Sequence, residues 1–361
     1  MKRLFLSLVA LLALASFLVA GCSQSAASSP TQAPAASNKA AELTKAPAAP
    51  QPTTAPAPAK KVNYPVKGKA VMMIVPFDAG GATDIQARVL APLLEKELGT
   101  PVEVVNKPGA GSQIGLTELA AAKPDGYTIG FAMNPTASTI YLDPERKASF
   151  NRKSFVQVAQ HSADPQVVAV KGDGPYKSVK DLVEAAKANP GKVTATCGAI
   201  MGDNQLAVML WEKQASVKFP VVNITTGGAA LIATVMGGHT DFVVNSVGNF
   251  APQVKSGELR VIGVMDKERS PFVPDSPTMA EQGYKVEMVS SKGVNLPAGT
   301  PQEIVDVLSG AVKKAMDSDE HKKKMADMFL TQKYLDANQY TAAWDDIENS
   351  VKPLLEEARK K

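Results

Sequence analysis

Side chains able to make or break bonds are thinly scattered through this chain. The three histidines, His161, His239 and His321, stand far apart and show no metal-ligand spacing, so no metal is expected. Ser246, in "VVNSVG", lacks the leading glycine of a nucleophile elbow. Cys197 ends a predicted strand in a loop, where a reactive thiol is conceivable. A thiol nucleophile needs a base beside it, and none is visible nearby in sequence; a small loop-lining residue is the better reading. Asp345 and Asp346 fall on a C-terminal helical pattern and are expected to face water. In "GAGSQIG" (109–115) the third glycine comes one residue late for a dinucleotide fingerprint, which favours a tight structural turn. There is no Walker-type phosphate loop, and no cofactor is expected. The cluster "HKKKM" has no aromatic interleaving and gives no sign of nucleic-acid binding.

What remains is main-chain chemistry. In "VPFDAGGATDIQARVLAPLLEKEL" (75–98) an apolar run stops at Gly80 and Gly81, and an amphipathic helical pattern starts directly afterwards. Glycines let the backbone turn tightly and approach a ligand. The helix that follows opens with free N–H groups at the positive end of its dipole, which favours an anion such as a carboxylate. Thr83 or Asp84 is alternatively only the helix cap, with water on the N–H groups. The Asp78 charge opposes a carboxylate unless it points away or meets a cation.

These loops need elements to hold them. Lys2 and Arg3, a long apolar run and "VAGC" describe an export signal over residues 1–21, with Cys22 placed as in a lipobox for cleavage and lipid attachment. Residues 22–62 are then the lipidated cysteine and an Ala/Pro/Ser-rich tether unable to bury a core. About 300 residues remain, enough for two domains. With only Cys22 and Cys197 in the chain, no disulfide is expected. Removing Lys2 and Arg3 from 39 basic residues leaves 37 against 35 acidic, a balance that argues against a polyanionic partner.

After residue 66, strand and helix patterns alternate, which predicts an α/β fold with mainly parallel sheets flanked by helices. Pro92 is expected to kink the first helix. Capping boxes are read at Ser178 with Asp181 and at Thr300 with Glu303. Two sheets suggest two lobes, 63–165 plus 290–361 and 166–289, with a ligand in the cleft at the strands' carboxyl ends. The chain crosses between lobes near Ala163 to Val168 and Val286 to Ser291, where a hinge is expected. The loops facing the cleft carry Gly, Ser, Thr and Asn, and neither His nor Arg.

The motifs "VPFDAGGATD", "NKPGAGSQIG", "KPDGYTIGFA", "MGGHTDFVVN", "KSGELRVIGVM", "PDSPTMAEQGY" and "LPAGTP" occur in order across residues 66 to about 335. In this the chain resembles the extracytoplasmic solute receptors of the tripartite tricarboxylate transporter family, the Bug receptors. The resemblance implies a two-lobe periplasmic-binding fold (type II) that closes on a small carboxylate, and no enzymatic activity. It implies ligand contacts at Phe77, Asp78, Ala79, Gly80, Gly81, Thr83 and Asp84, and at Met133 and Asn134. In the second lobe it implies Cys197, Ala199, Asn204, Thr225, Thr226, Gly227, Gly228 and Asn245. Asn245 stands where many members have an Asp suited to an ammonium group, which favours a di- or tricarboxylate or an aromatic acid over an amino acid. The expected partners are the permease subunits of such a transporter and, through a lipid on Cys22, a bacterial membrane at its extracytoplasmic face. The alternatives are a sensory module for a membrane kinase and a secreted thiol or hydrolytic enzyme.

Overall fold

The computed structural model describes residues 63–224 and 228–359. The export signal, Cys22 and the tether lie outside the described residues, as do Thr225, Thr226 and Gly227. The chain begins with β1 (Val71–Val75), α1 (Ala82–Leu98), β2 (Val102–Asn106), α2 (Gln113–Ala120), β3 (Thr128–Asn134) and α3 (Thr136–Leu142). Both β2 and β3 pair with β1 in parallel, as strand–helix alternation requires. A strand of 17 residues follows, β4 (Phe155–Lys171). Next come α4 (Val179–Ala188), β5 (Ala195–Cys197), α5 (Asp203–Ala215), β6 (Val221–Asn223), α6 (Gly228–Met236), β7 (Phe242–Ser246), α7 (Ala251–Ser256) and β8 (Leu259–Val264). Here β5 is parallel to both β6 and β7. The chain returns along β9 (Val289–Pro297) and closes with α8 (Gln302–Asp317), α9 (Asp319–Asp327), β10 (Gln332–Leu335) and α10 (Ala337–Arg359).

The two parallel groups are joined by long antiparallel strands. From Phe155 to Pro165, β4 is flanked by β9 and β10; from Gln166 to Lys171 it is flanked by β7 and β8. Pro165 stands where the partners change, a place where its missing N–H costs no ladder bond. The sheet is therefore mixed. Nearly every side chain of β4 is buried, and a strand buried on both faces gives no alternation from which to read a neighbour's direction.

Each half has its own core. Leu90 and Leu94 of α1, with Leu308 and Val312 of α8, pack on Met73, Ile129 and Phe131. The opposite face of that sheet buries Ile74 and Leu116 with Phe155, Tyr340 and Trp344. In the other half Leu182, Leu206 and Trp211 pack on Phe242 and Val244. The last helix serves both: Tyr340 and Trp344 belong to the first half's core, and Val351 and Leu355 to the second's.

The expected capping box at Ser178 and Asp181 forms. The one at Thr300 does not: Pro301 holds the N-cap position of α8, and the Thr300 hydroxyl donates to the Pro297 carbonyl at 2.8 Å. Pro92 leaves α1 as one continuous helix, because the residue lies on its exposed side, where the freed carbonyl meets water. No helix among the described residues is long and apolar enough to cross a membrane.

Trp344 is fully buried, stacks on Phe155 and donates its indole N–H to the Tyr141 hydroxyl at 3.1 Å. Trp344→Ala is expected to cost about 3–5 kcal/mol in urea unfolding. A loss below ~1 kcal/mol would show that α10 is not an integral part of the fold.

Candidate functional site

A cavity of about 450 Å³ lies where loops of the two halves face each other, within the range of small-molecule sites. Its first wall is the turn from β1 into α1. Gly80, at φ +83°, supplies the left-handed residue of that turn, and Gly81, the N-cap of α1, has no side chain of its own to bond the helix N–H groups. Asp84 turns back from the cavity, accepting from Gly80 N–H (2.9 Å), Arg88 Nε (3.0 Å) and Asn106 Nδ2 (2.9 Å). Burial alone would raise its pKa, but those bonds hold the carboxyl below its ordinary value. Phe77, Asp78, Gly81 and Thr83 line the cavity, whereas Ala79 and Gly80 are exposed outside it.

The "GAGS" turn forms the adjacent wall, from Gly109 to Ser112. Its following glycine has a packing role: a Cβ on Gly115 would lie 2.8 Å from the Lys107 carbonyl and from Pro76. Ser112 and Thr136 both line the cavity, and their hydroxyls are buried and have no protein partner. A buried polar atom without a partner is costly unless something else meets it. Met133 lines the cavity too, while Asn134 lies fully buried, with Oδ1 accepting from the Ser138 N–H (3.2 Å) and hydroxyl (2.9 Å) at the start of α3.

The second half contributes Ala199, Ile200, Asn204, Gly228, Asn245 and Asn249. Asn204 holds its own loop, accepting from Gly198 N–H at 3.2 Å and donating to Gln166 Oε1 at 3.3 Å. Cys197 does not reach the cavity. It is fully buried in the core of this half, and burial pushes its thiol far up from the ordinary range. A strand of alternating faces explains the difference: Cys197 is the last residue of β5 and points inward, so the loop begins one residue later. A thiol enzyme thus loses its nucleophile.

Two cations outside the predicted loops also line the cavity. Lys292 comes from the middle of β9, opposite Met133, with its ammonium 2.8 Å from Asp164 and only 2 % of its side chain exposed. Arg146 follows α3 and spans the mouth, donating to the Ala110 carbonyl (2.8 Å) and across the cleft to the Ile200 carbonyl (2.9 Å). No periodicity marks either residue as inward-facing; only strand pairing and the loop's path do. With Asp78 and Asp203 they leave the lining formally balanced. Burial pushes the Asp203 carboxyl up toward its neutral form, against the opposing influence of the Ser290 hydroxyl and Lys292.

Behind the cavity, folding joins two histidines far apart in sequence. His161 Nε2 meets His321 Nε2 at 2.7 Å, both rings fully buried, and His161 Nδ1 lies 3.2 Å from Gln86 Oε1. Burial holds both below the ordinary histidine value, His161 furthest, with His321 and Lys292 adding to the effect. His239 is exposed and takes no part.

Two measurements test this geometry. In the native protein Cys197 should react with a disulfide reagent at pH 8 at least about a hundredfold more slowly than in the unfolded chain. The histidine pair takes up protons when unfolded below about pH 6.5 but resists them when folded. Its stabilising contribution is therefore complete above that pH and lost as pH falls. The melting temperature should decline from pH 7 to pH 5, and a flat profile contradicts the assignment.

Residues 86–359 match the model of the tripartite tricarboxylate transporter family receptor. A Cupriavidus necator protein, the UPF0065 protein in the gbd 5' region, is 30% identical over 306 residues, which cover 83% of this chain and 90% of that one. The solved periplasmic binding protein BugD is 28% identical with a TM-score of 0.72, over 80% of this chain and 97% of its own. MatC from Rhodopseudomonas palustris, solved with bound malate, shares the fold at 24% identity and a TM-score of 0.72, over 81% of this chain and 100% of its own. The expected two-lobe solute-binding fold is thereby established, and the chain belongs to the tripartite tricarboxylate transporter receptor family.

Proposed function

We propose that the cavity binds a small organic carboxylate, a di- or tricarboxylate or an aromatic acid, and that the protein delivers it to the permease subunits of a tripartite tricarboxylate-type secondary transporter. The observation that carries this reading is the set of unused donors around one cavity. The Ser112 and Thr136 hydroxyls have no protein partner, and Asp164 takes only one of the three N–H groups of the Lys292 ammonium. Carboxylate oxygens accept several such bonds at once. Phe77, Met133, Ile200, Ile224 and Leu231 supply apolar surface for the carbon skeleton. The malate-bound relative supports the same ligand class.

The lobes of this mechanism are 63–165 with 290–361, and 166–289, hinged where β4 changes partners and β9 begins. Pro165 stands opposite Val289, and Gln166 N–H donates to Met288 O at 2.8 Å. The end of α10 reaches across as a strap. Ligand contacts with both lobes favour the closed form, because only that form offers them together. The ligand-contact set is the predicted group that lines the cavity, namely Phe77, Asp78, Gly81, Thr83, Met133, Ala199, Asn204, Gly228 and Asn245, joined by Ser112, Thr136 and Lys292. A lipid on Cys22 and the tether beyond it hold the receptor at the extracytoplasmic face of a membrane.

Titration calorimetry with malate, adipate, citrate and benzoate, and with glucose and ATP as controls, tests the reading. At least one acid should bind at one per chain without turnover. Lys292→Met and Thr136→Val should each weaken that binding about tenfold or more, given ~1.5–3 kcal/mol for a hydrogen bond to a charged group. Binding of only the sugar or the nucleotide overturns the proposal.

A further inference from the structure

The open N–H groups of α1 are not entirely free. Asn249, from the other half of the molecule and 167 residues along the chain, places its side-chain oxygen 3.2 Å from Ala82 N–H. The same oxygen lies against Gly228 at the start of α6, where a Cβ would sit 3.3 Å from it. Its amide orientation is fixed from behind. Asn249 Nδ2 donates to Asn245 Oδ1 at 2.8 Å, and Asn245 Oδ1 also accepts from Ser246 N–H at 2.8 Å. A neutral oxygen from one lobe thus occupies the N-terminal end of a 17-residue helix of the other, inside the cavity that both line. Ser112 and Thr136, whose buried hydroxyls have no protein partner, line the same cavity.

We propose that Asn249 is an internal stand-in for the ligand's carboxylate and acts as the residue that excludes neutral ligands. This rests on the carboxylate reading of the cavity. The amide oxygen satisfies the first N–H of α1 and so bridges the two lobes. An arriving carboxylate displaces it, because a charge-assisted hydrogen bond is about twice as strong as a neutral one and the helix dipole adds to the difference. A ligand presenting only an amide or hydroxyl oxygen gains nothing over the group it must expel. Selectivity then comes from competition with a built-in neutral acceptor as well as from attraction. Asn245 is the positioning residue: its oxygen, already engaged by Ser246 N–H, accepts from Asn249 Nδ2 and so turns Oδ1 toward α1.

The test compares Asn249→Ala and Asn249→Asp with the full wild-type chain, using malate and adipate, their diamides, and amide hydrogen exchange at Ala82. In Asn249→Ala the acids should bind about three- to tenfold more tightly, the diamides should gain measurable binding, and Ala82 should exchange faster without ligand. In Asn249→Asp the variant's own carboxylate fills the place. Acid binding should fall at least thirtyfold, while the ligand-free melting temperature rises. Equal or weaker acid binding in Asn249→Ala overturns the proposal, since it would make Asn249 a ligand contact or a bystander. If wild type binds no acid at all, the carboxylate reading has failed separately. The exchange and melting measurements then decide the role of Asn249 alone, and unchanged Ala82 exchange in Asn249→Ala refutes it.

Discussion

One buried carboxylate organises the molecule. Asp164, 1% exposed, accepts from Lys292 Nζ at 2.8 Å, Gln86 Nε2 at 2.8 Å and Thr331 N–H at 2.7 Å. Removing both charges of such a pair from water costs several kcal/mol per ion, roughly, and is offset only when further hydrogen bonds complete the shell. Here the completing donors come from α1 and from the chain just before β10, so satisfying the charge pins those segments and β9 to the point where β4 leaves one half for the other. The orientation of α1, and hence of the N–H groups it turns toward the cavity, follows from that requirement.

Two residues further along, Gln166 does the corresponding work for the other half. Its amide donates to Asp203 Oδ2 at 2.9 Å and to the Ser290 hydroxyl at 2.7 Å, and its oxygen accepts from Asn204 at 3.3 Å. Residues i and i+2 of a strand share a face, so Asp164 and Gln166 anchor the two walls of one cleft from one edge. The histidine pair extends the first of these networks, since Gln86 Oε1 is shared by His161 and by the Ser162 hydroxyl at 2.6 Å. Polar groups buried this deeply are worth their desolvation only when every member is satisfied.

The cavity itself follows a different rule. Its lining carries donors that the fold leaves unused, two hydroxyls and part of an ammonium, next to a helix end covered by a neutral amide oxygen. The formal charges of the lining balance, and the Lys292 ammonium has its own counter-ion, Asp164, at 2.8 Å.

The strand–helix alternation, the glycine turn before α1 and the Ser178 capping box were legible in the sequence because each is local: periodicity, a residue that tolerates positive φ, and a cap within one turn. The seven ordered motifs made the family legible as well. Several site positions were not legible for a consistent reason. Cys197 and Asn134 sit at strand ends, where a shift of one residue exchanges core for cavity. Lys292, Arg146, Ser112 and Thr136 reach the cavity through strand pairing and loop path, and Asn249 through the meeting of two halves. By itself the sequence determined which elements form, and it raised the expectation that the open start of α1 faces a ligand. Only the tertiary structure decided what meets those groups, because hydrogen bonds between residues 167 apart depend on how two separately packed cores are set against each other.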